Sequence, residues 1–151
     1  MQKFIEMCVF ENQDIETIET WFEDFEIRRR LEGILPLRKW YEYVKENTEY
    51  FVWIALENKQ SVGIVMVELE ENHTGSIALA VNPFLRNKGY GKVLIERTMA
   101  LPVLNSVEKW FAGIEEDNIA CLKCFQSIGY SFENIQPDED GYYSLIYLVE
   151  R

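Results

Sequence analysis

Several things this chain has little of narrow its function before any motif is considered. There is no apolar run of about 18 residues, the length a membrane-spanning helix needs. The first residues lack the charged and apolar regions of a signal peptide, so a soluble, cytoplasmic protein with no membrane partner is expected. Cysteine is scarce and odd in number, with Cys8, Cys121 and Cys124 making three, which points to reduced thiols rather than a disulfide framework. Histidine occurs once, as His73 in a polar turn without a catalytic partner at a suitable spacing, and is read as exposed and inert. Basic charge is short as well. Fifteen Lys and Arg face 26 Asp and Glu for a net charge of −11, which argues against a nucleic-acid partner. The same acidity serves solubility and is compatible with a cationic partner.

What is present is a foldable domain. With 151 residues, 48% of them hydrophobic and 14% aromatic, the chain is long and apolar enough for one core, so residues 1–151 are read as a single domain. No repeats, linkers or low-complexity segments interrupt it. A first strand is expected over residues 3–10. Asn12 or Asp14 then offers a helix cap, and Ile15, Ile18, Phe22 and Phe25 follow at helical spacing. Arg28-Arg29-Arg30 stand in the segment from Glu26 to Pro36. Such a run can clamp an anion but is more often a locally paired, solvated face.

A second helix starts near Leu37, with Leu37, Trp40, Tyr41 and Val44 as its apolar stripe. Tyr50–Glu57 and Ser61–Leu69 form a hairpin, and Gly75–Val81 is the next strand. A helix carrying Leu94, Thr98 and Leu101 ends at Pro102. Val107–Ile114 is a strand. Asn118 caps a short helix with Leu122, Phe125 and Ile128 on one side, closed by Gly129, and Tyr130–Ile135 and Tyr142–Val149 are the last strands. The result is a mixed α/β layer structure around one central sheet.

The stretch Gly75–Leu101 holds the strongest functional signal: a strand, the turn Ala80-Val81-Asn82-Pro83, a basic loop, then a helix. Free N–H groups and a positive dipole at a helix N-terminus make an anion site. Two familiar phosphate loops do not fit. A Walker loop needs Gly where Arg86 stands and Ser or Thr where Val93 stands, and a dinucleotide fingerprint beginning at Gly89 needs Gly where Leu94 stands. Arg86-Asn-Lys-Gly89-Tyr-Gly91 does fit the pattern R-x-x-G-x-G. It resembles the acyl-CoA-binding motif of the GNAT superfamily of acyl-CoA-dependent N-acyltransferases. The segment Asn118 to Tyr130 is similar to a second motif of that family, N-x-x-A-x-x-x-Y-x-x-x-G-F.

The resemblance implies a GNAT-like fold, a mostly antiparallel sheet of about seven strands with about four helices. It also implies acetyl-CoA as co-substrate and no metal. The cofactor site would comprise Leu79, Ala80 and Val81 as a splayed strand pairing with pantetheine, with Arg86, Asn87, Lys88, Gly89, Tyr90, Gly91 and Lys92 cradling phosphate. Asn118 would bind the pantetheine arm, and Phe125 stands where the family carries Tyr. Phe has no proton to give, so a departing thiolate would rely on water or on Tyr130, Tyr142 or Tyr143. Gly113 occupies the position of a Glu base in some relatives, which leaves Glu68 and Glu115 as candidate bases.

The expected activity is acetyl transfer to a primary amine, a small molecule or a peptide N-terminus, with a cationic acceptor favoured by charge. Its pocket would come from Glu26–Trp40 and the last hairpin, with Trp21, Trp40 and Trp53 as candidate lining. The alternative is a GNAT-like domain that binds acyl-CoA without turning it over. Both a monomer and a homodimer fit the sequence. Cys121-Leu-Lys-Cys124 has redox or zinc spacing but no second pair, and is read as two small buried hydrophobes.

Overall fold

The protein, a computed structural model, is described over residues 4–150. Seven strands form one sheet in the order β1-β2-β3-β4-β5-β7-β6. They are β1 (Glu6–Val9), β2 (Tyr50–Glu57), β3 (Gln60–Glu70), β4 (Thr74–Val81), β5 (Lys109–Glu115), β6 (Ser131–Phe132) and β7 (Tyr142–Leu148). All neighbours are antiparallel except β4 and β5. The sheet is therefore the mixed, mostly antiparallel one expected. Of the first expected strand, Lys3 lies outside the described residues, and the strand over Tyr130–Ile135 shrinks to the two residues of β6.

Both faces of the sheet are covered, which explains why the central strands read as nearly continuous apolar runs. Alternation along β2 and β3 sends Val52, Ile54, Ile64 and Met66 to one face and Trp53, Ala55, Val65 and Val67 to the other. The first face packs against α1 (Ile15–Trp21), α2 (Phe25–Leu31) and α3 (Leu37–Glu46) through Ile15, Ile18, Trp21, Ile27 and Leu37. The second packs against α4 (Tyr90–Met99) and α5 (Ile119–Ile128) through Leu94, Ile95, Leu122 and Phe125. Each large apolar side chain so buried contributes about 1.5–3 kcal/mol.

Five α-helices stand where about four were expected, because the first apolar pattern breaks in two. Asp24 takes extended backbone, and its Oδ2 accepts the Ile27 N–H at 3.1 Å, starting a new helix. Phe25 is therefore the first residue of α2 and is exposed instead of continuing the buried stripe of α1. Asp14 stands at the N-cap of α1, one of the two positions expected, but its carboxylate turns back to accept the Glu11 N–H at 2.8 Å rather than bonding the helix amides.

Close approach of α4 to the sheet depends on Gly63, where a Cβ would lie 2.3 Å from Leu94 Cδ1 and 3.1 Å from the Ala80 carbonyl oxygen. Among the described residues no helix is long and apolar enough to cross a membrane.

Candidate active site

The parallel pair β4–β5 is the origin of the site. It is registered only at Thr74–Lys109, Gly75–Trp110 and Ser76–Phe111. Beyond Ser76 the strands part, while β4 stays paired to β3 as far as Val81. Residues 77–81 thus present one backbone edge with no strand partner among the described residues. A cleft of about 650 Å³ opens there, walled by Leu79, Ala80 and Val81, by the loop and first turn of α4, by Asn118 and one side of α5, and by α2.

Local sequence dictates the shape of the α4 loop. Asn82 Oδ1 accepts the Phe84 N–H at 3.0 Å and its Nδ2 donates to the Ser61 carbonyl at 3.0 Å, fixing the turn after β4. Asn87 (φ 61°) and Gly89 (φ 84°) then take left-handed backbone, which brings successive N–H groups around to the start of α4. The amides of Asn87, Lys88 and Gly89 donate to no other group among the described residues. Gly91 and Lys92 stand in the first helical turn, where amides lack intrahelical acceptors. A Cβ on Gly91 would lie 3.4 Å from Cys124 Sγ, so anything larger has to project into the cleft.

Of the cofactor residues suggested by sequence, Leu79, Ala80, Val81, Arg86, Asn87, Gly89, Tyr90, Gly91, Lys92, Asn118 and Phe125 all line this cleft, whereas Lys88 does not. The two candidate bases, Glu68 and Glu115, are also absent from its lining. Three side chains are engaged in ways the sequence did not reveal. Arg86 donates through both terminal nitrogens to Asp24, with Nη1 to Oδ1 at 2.9 Å, so its charge is balanced by α2. Tyr90 is buried, with its hydroxyl donating to Glu57, so its side chain is committed to β2. Asn118 Oδ1 accepts the Cys121 N–H at 3.4 Å as the cap of α5.

Phe125 is 1% exposed and meets Tyr130 edge-on at 4.8 Å between centroids. The Tyr130 hydroxyl donates to Met99 Sδ at 3.4 Å, and burial pushes its phenol well above the usual range, so it is committed away from the cleft. Tyr142 and Tyr143 lie on β7 and do not line the cleft. Glu115 accepts from Arg30 Nη1 at 3.1 Å. Glu68 is half-buried on β3, opposite Ser76 at the last β4–β5 pair, and shares its face with Ile64 and Met66.

The arginine run is paired only partly as anticipated: Glu26 is a local partner, whereas Asp117 reaches Arg29 and Arg30 from 88 and 87 residues away. Arg29 meets Glu26 and Asp117 at 3.3 and 3.1 Å, and Arg30 meets Asp117 at 2.7 Å. None of the tryptophans suggested as acceptor lining borders this cleft. Trp21 and Trp53 are core residues, Trp40 donates to the Tyr50 hydroxyl at 3.4 Å, and the last hairpin contributes nothing to the cleft. From Glu26–Trp40 only Glu26, Ile27, Arg30 and Leu31 reach it.

Cys121 and Cys124 both reach the cleft wall as free thiols; burial holds the first up to about 12 and also raises the second. No group of three His, Cys, Asp or Glu side chains among the described residues has the arrangement of a metal site.

Comparison with known proteins agrees with this geometry. Residues 15–130 match the sequence profile of the acetyltransferase (GNAT) family. The chain is 41% identical over 138 residues to the uncharacterized N-acetyltransferase YfmK of Bacillus subtilis (strain 168), covering 91% of this chain and 93% of that one. Its fold is similar to the spermidine N-acetyltransferase of Vibrio cholerae solved with CoA and spermine (TM-score 0.81, 17% identity, 95% of each chain). It is also similar to the N-acetyltransferase PseH of Campylobacter jejuni solved with acetyl-CoA (TM-score 0.74, 16% identity, 97% of this chain and 100% of that one). On the profile match and the Bacillus relative, the chain belongs to the acetyltransferase (GNAT) family of N-acetyltransferases.

Proposed function

We propose that the protein transfers the acetyl group of acetyl-CoA to a primary amine by direct attack of the amine on the thioester. The observation that carries this reading is the joining, in one cleft, of unpartnered loop amides and an unpaired strand edge. Acetyl-CoA has a diphosphate at one end and a peptide-like arm at the other. The amides of Asn87, Gly89, Gly91 and Lys92 suit the diphosphate, with the Lys92 side chain adding charge. The free edge of Leu79–Val81 suits the amides of the arm, as an added strand would. Asn118 Nδ2 is then available to the arm while Oδ1 caps α5, so one residue serves both roles.

Beyond the point where β4 and β5 part, a main-chain N–H of Leu79–Val81 would receive the oxygen that gains charge as the amine attacks. Holding amine and thioester together supplies most of the rate. A protonated amine cannot attack, so its proton has to leave first. Glu115 is committed to Arg30. That leaves Glu68, on the α1–α3 face level with the parting of the strands, as the carboxylate to which a water chain carries the amine's proton. The departing thiolate takes a proton from water, since a thiol of pKa about 8.5 leaves readily near neutral pH and Phe125 has none to give.

The acceptor is an amine of small-molecule or peptide type. Net charge of −11 favours a cationic one by long-range attraction, and the spermidine acetyltransferase of the same fold is an example of such chemistry. The test is thiol release from acetyl-CoA across a panel of polyamines, aminoglycosides, amino acids and peptide N-termini. Turnover with at least one amine, fastest among the multiply charged, is expected. Tight CoA binding with no thiol release on any amine would overturn the reading in favour of a sensor.

A further inference from the structure

The loop that carries the cradle is tied down at both ends by one short stretch of the β2–β3 hairpin, Glu57 to Gly63. Where the loop begins, the Asn82 N–H donates to the Val62 carbonyl at 2.9 Å and Asn82 Nδ2 donates to the Ser61 carbonyl at 3.0 Å. Where it ends, Tyr90 stands between the two cradle glycines, 8% exposed, and its hydroxyl donates to Glu57 Oε1.

The hairpin is built as a fixed support. A two-residue turn, Asn58 (φ 50°) and Lys59 (φ 68°), joins the strands and leaves Glu57 paired with Gln60. Ala55 faces Gly63 and Leu56 faces Ser61, so Val62 is an extra residue, a bulge in β3. By parity Val62 belongs with Ile64 and Met66, yet it packs into the α4–α5 core. Its carbonyl and that of Ser61 are the two that hold Asn82. β2 has no extra residue, so Glu57 keeps the parity of Trp53 and Ala55 and stands on the α4 side.

Glu57 is half-buried and does not line the cleft. What it holds is the first residue of α4. A hydrogen bond from a hydroxyl to a carboxylate is stronger than one between neutral groups, so it fixes the ring and with it the start of the helix. Donors aimed in advance bind an anion without the cost of ordering them on binding.

We propose that Glu57 is a positioning residue for the cofactor: its bond to the Tyr90 hydroxyl aims the amides of Gly89, Gly91 and Lys92 at the diphosphate. The proposal rests on the acetyl-CoA reading of the cleft.

Calorimetric titration of the full-length protein with CoA tests this without an acceptor amine. Tyr90→Phe deletes the donor alone and should raise the CoA Kd about tenfold. Glu57→Ala should match it. The double variant should be no weaker than about tenfold, because both changes break one bond. Glu57→Gln keeps an acceptor on a side chain of the same length and should bind within about threefold of wild type. Tyr90→Phe, which keeps the buried ring, carries the test should Glu57→Ala fail to fold. In turnover the acetyl-CoA KM should rise in step while kcat stays within about twofold, since contacts to the diphosphate are equal in ground and transition states.

A Kd within about twofold of wild type in Tyr90→Phe overturns the proposal and leaves the cofactor reading standing. Losses that multiply in the double variant, or a Gln variant no better than Ala, overturn it too, because one shared bond gives neither. A wild-type protein that does not bind CoA removes the cofactor reading and this proposal together.

Discussion

The two faces of the sheet are built from similar apolar material and do different work. On the α4–α5 face, backbone conformation makes the site. The left-handed Asn87 and Gly89, the bare Cα of Gly91 and the Asn118 cap all lie within residues 87–118. On the α1–α3 face there is mainly packing, through Ile15, Ile18, Trp21 and Leu37, and α2 reaches the cleft with Ile27 and Leu31 as well as with the ion-paired Glu26 and Arg30. A site made of backbone needs particular letters at particular spacings. A face made of packing needs only volume and polarity, and many sequences supply those.

That contrast predicts separable lesions. The largest effect belongs to Gly91→Trp. A Cβ there fits at 3.4 Å from Cys124 Sγ, but the indole has to enter the cleft and displace the ligand. Its kcat/KM for acetyl-CoA should fall at least about 100-fold, or about 2.7 kcal/mol, with a Tm within a few degrees of wild type by calorimetry. Ile18→Ala should do the reverse. Ile18 is 1% exposed beneath α1, and its truncation costs about 2–5 kcal/mol in denaturant titrations with the acetyl-CoA KM unmoved. If Ile18→Ala weakened cofactor use as much as stability, the two faces would not be independent.

The same contrast decides what was legible in the sequence. Arg86-Asn-Lys-Gly-Tyr-Gly91 marked the cradle because φ > 0 and a close approach both call for glycine. The hairpin β2–β3 and helix α3 followed from alternation and a helical stripe. The break at Asp24 was missed because Ile18, Phe22 and Phe25 keep helical spacing straight across it, and only the backbone shows that Phe25 begins a new helix.

Long-range pairs were hidden altogether. Arg86 was credited with free charge, yet its partner Asp24 lies 62 residues away; Arg30 and its partner Asp117 are 87 apart. No local pattern encodes a match at that distance. Periodicity likewise gives a face but not whether that face meets a cavity or a core: Trp21 and Trp53, suggested as acceptor lining, lie in the core.

The smallest expected effect tests where the two faces are joined. Asp24 caps α2 and accepts both terminal nitrogens of Arg86 from the cradle loop. Asn is as good a cap as Asp, so Asp24→Asn removes the ion pair and leaves the cap. The loss should be about 1 kcal/mol at neutral pH, small because Arg86 is 39% exposed, and smaller still in high salt.

The hydrogen bond from Arg86 holds the Asp24 carboxyl below its ordinary 3.8. A carboxylate whose folded-state pKa is depressed stabilises the fold fully above its unfolded value and loses that contribution as pH falls through the folded one. The gap between wild type and Asp24→Asn should therefore be constant from pH 7 down to about pH 5 and close below pH 3.8, as read from urea midpoints. A gap that stayed open at pH 2, where the carboxylate is protonated, would mean that the difference between Asp and Asn does not come from the ion pair, and that the two faces meet without it.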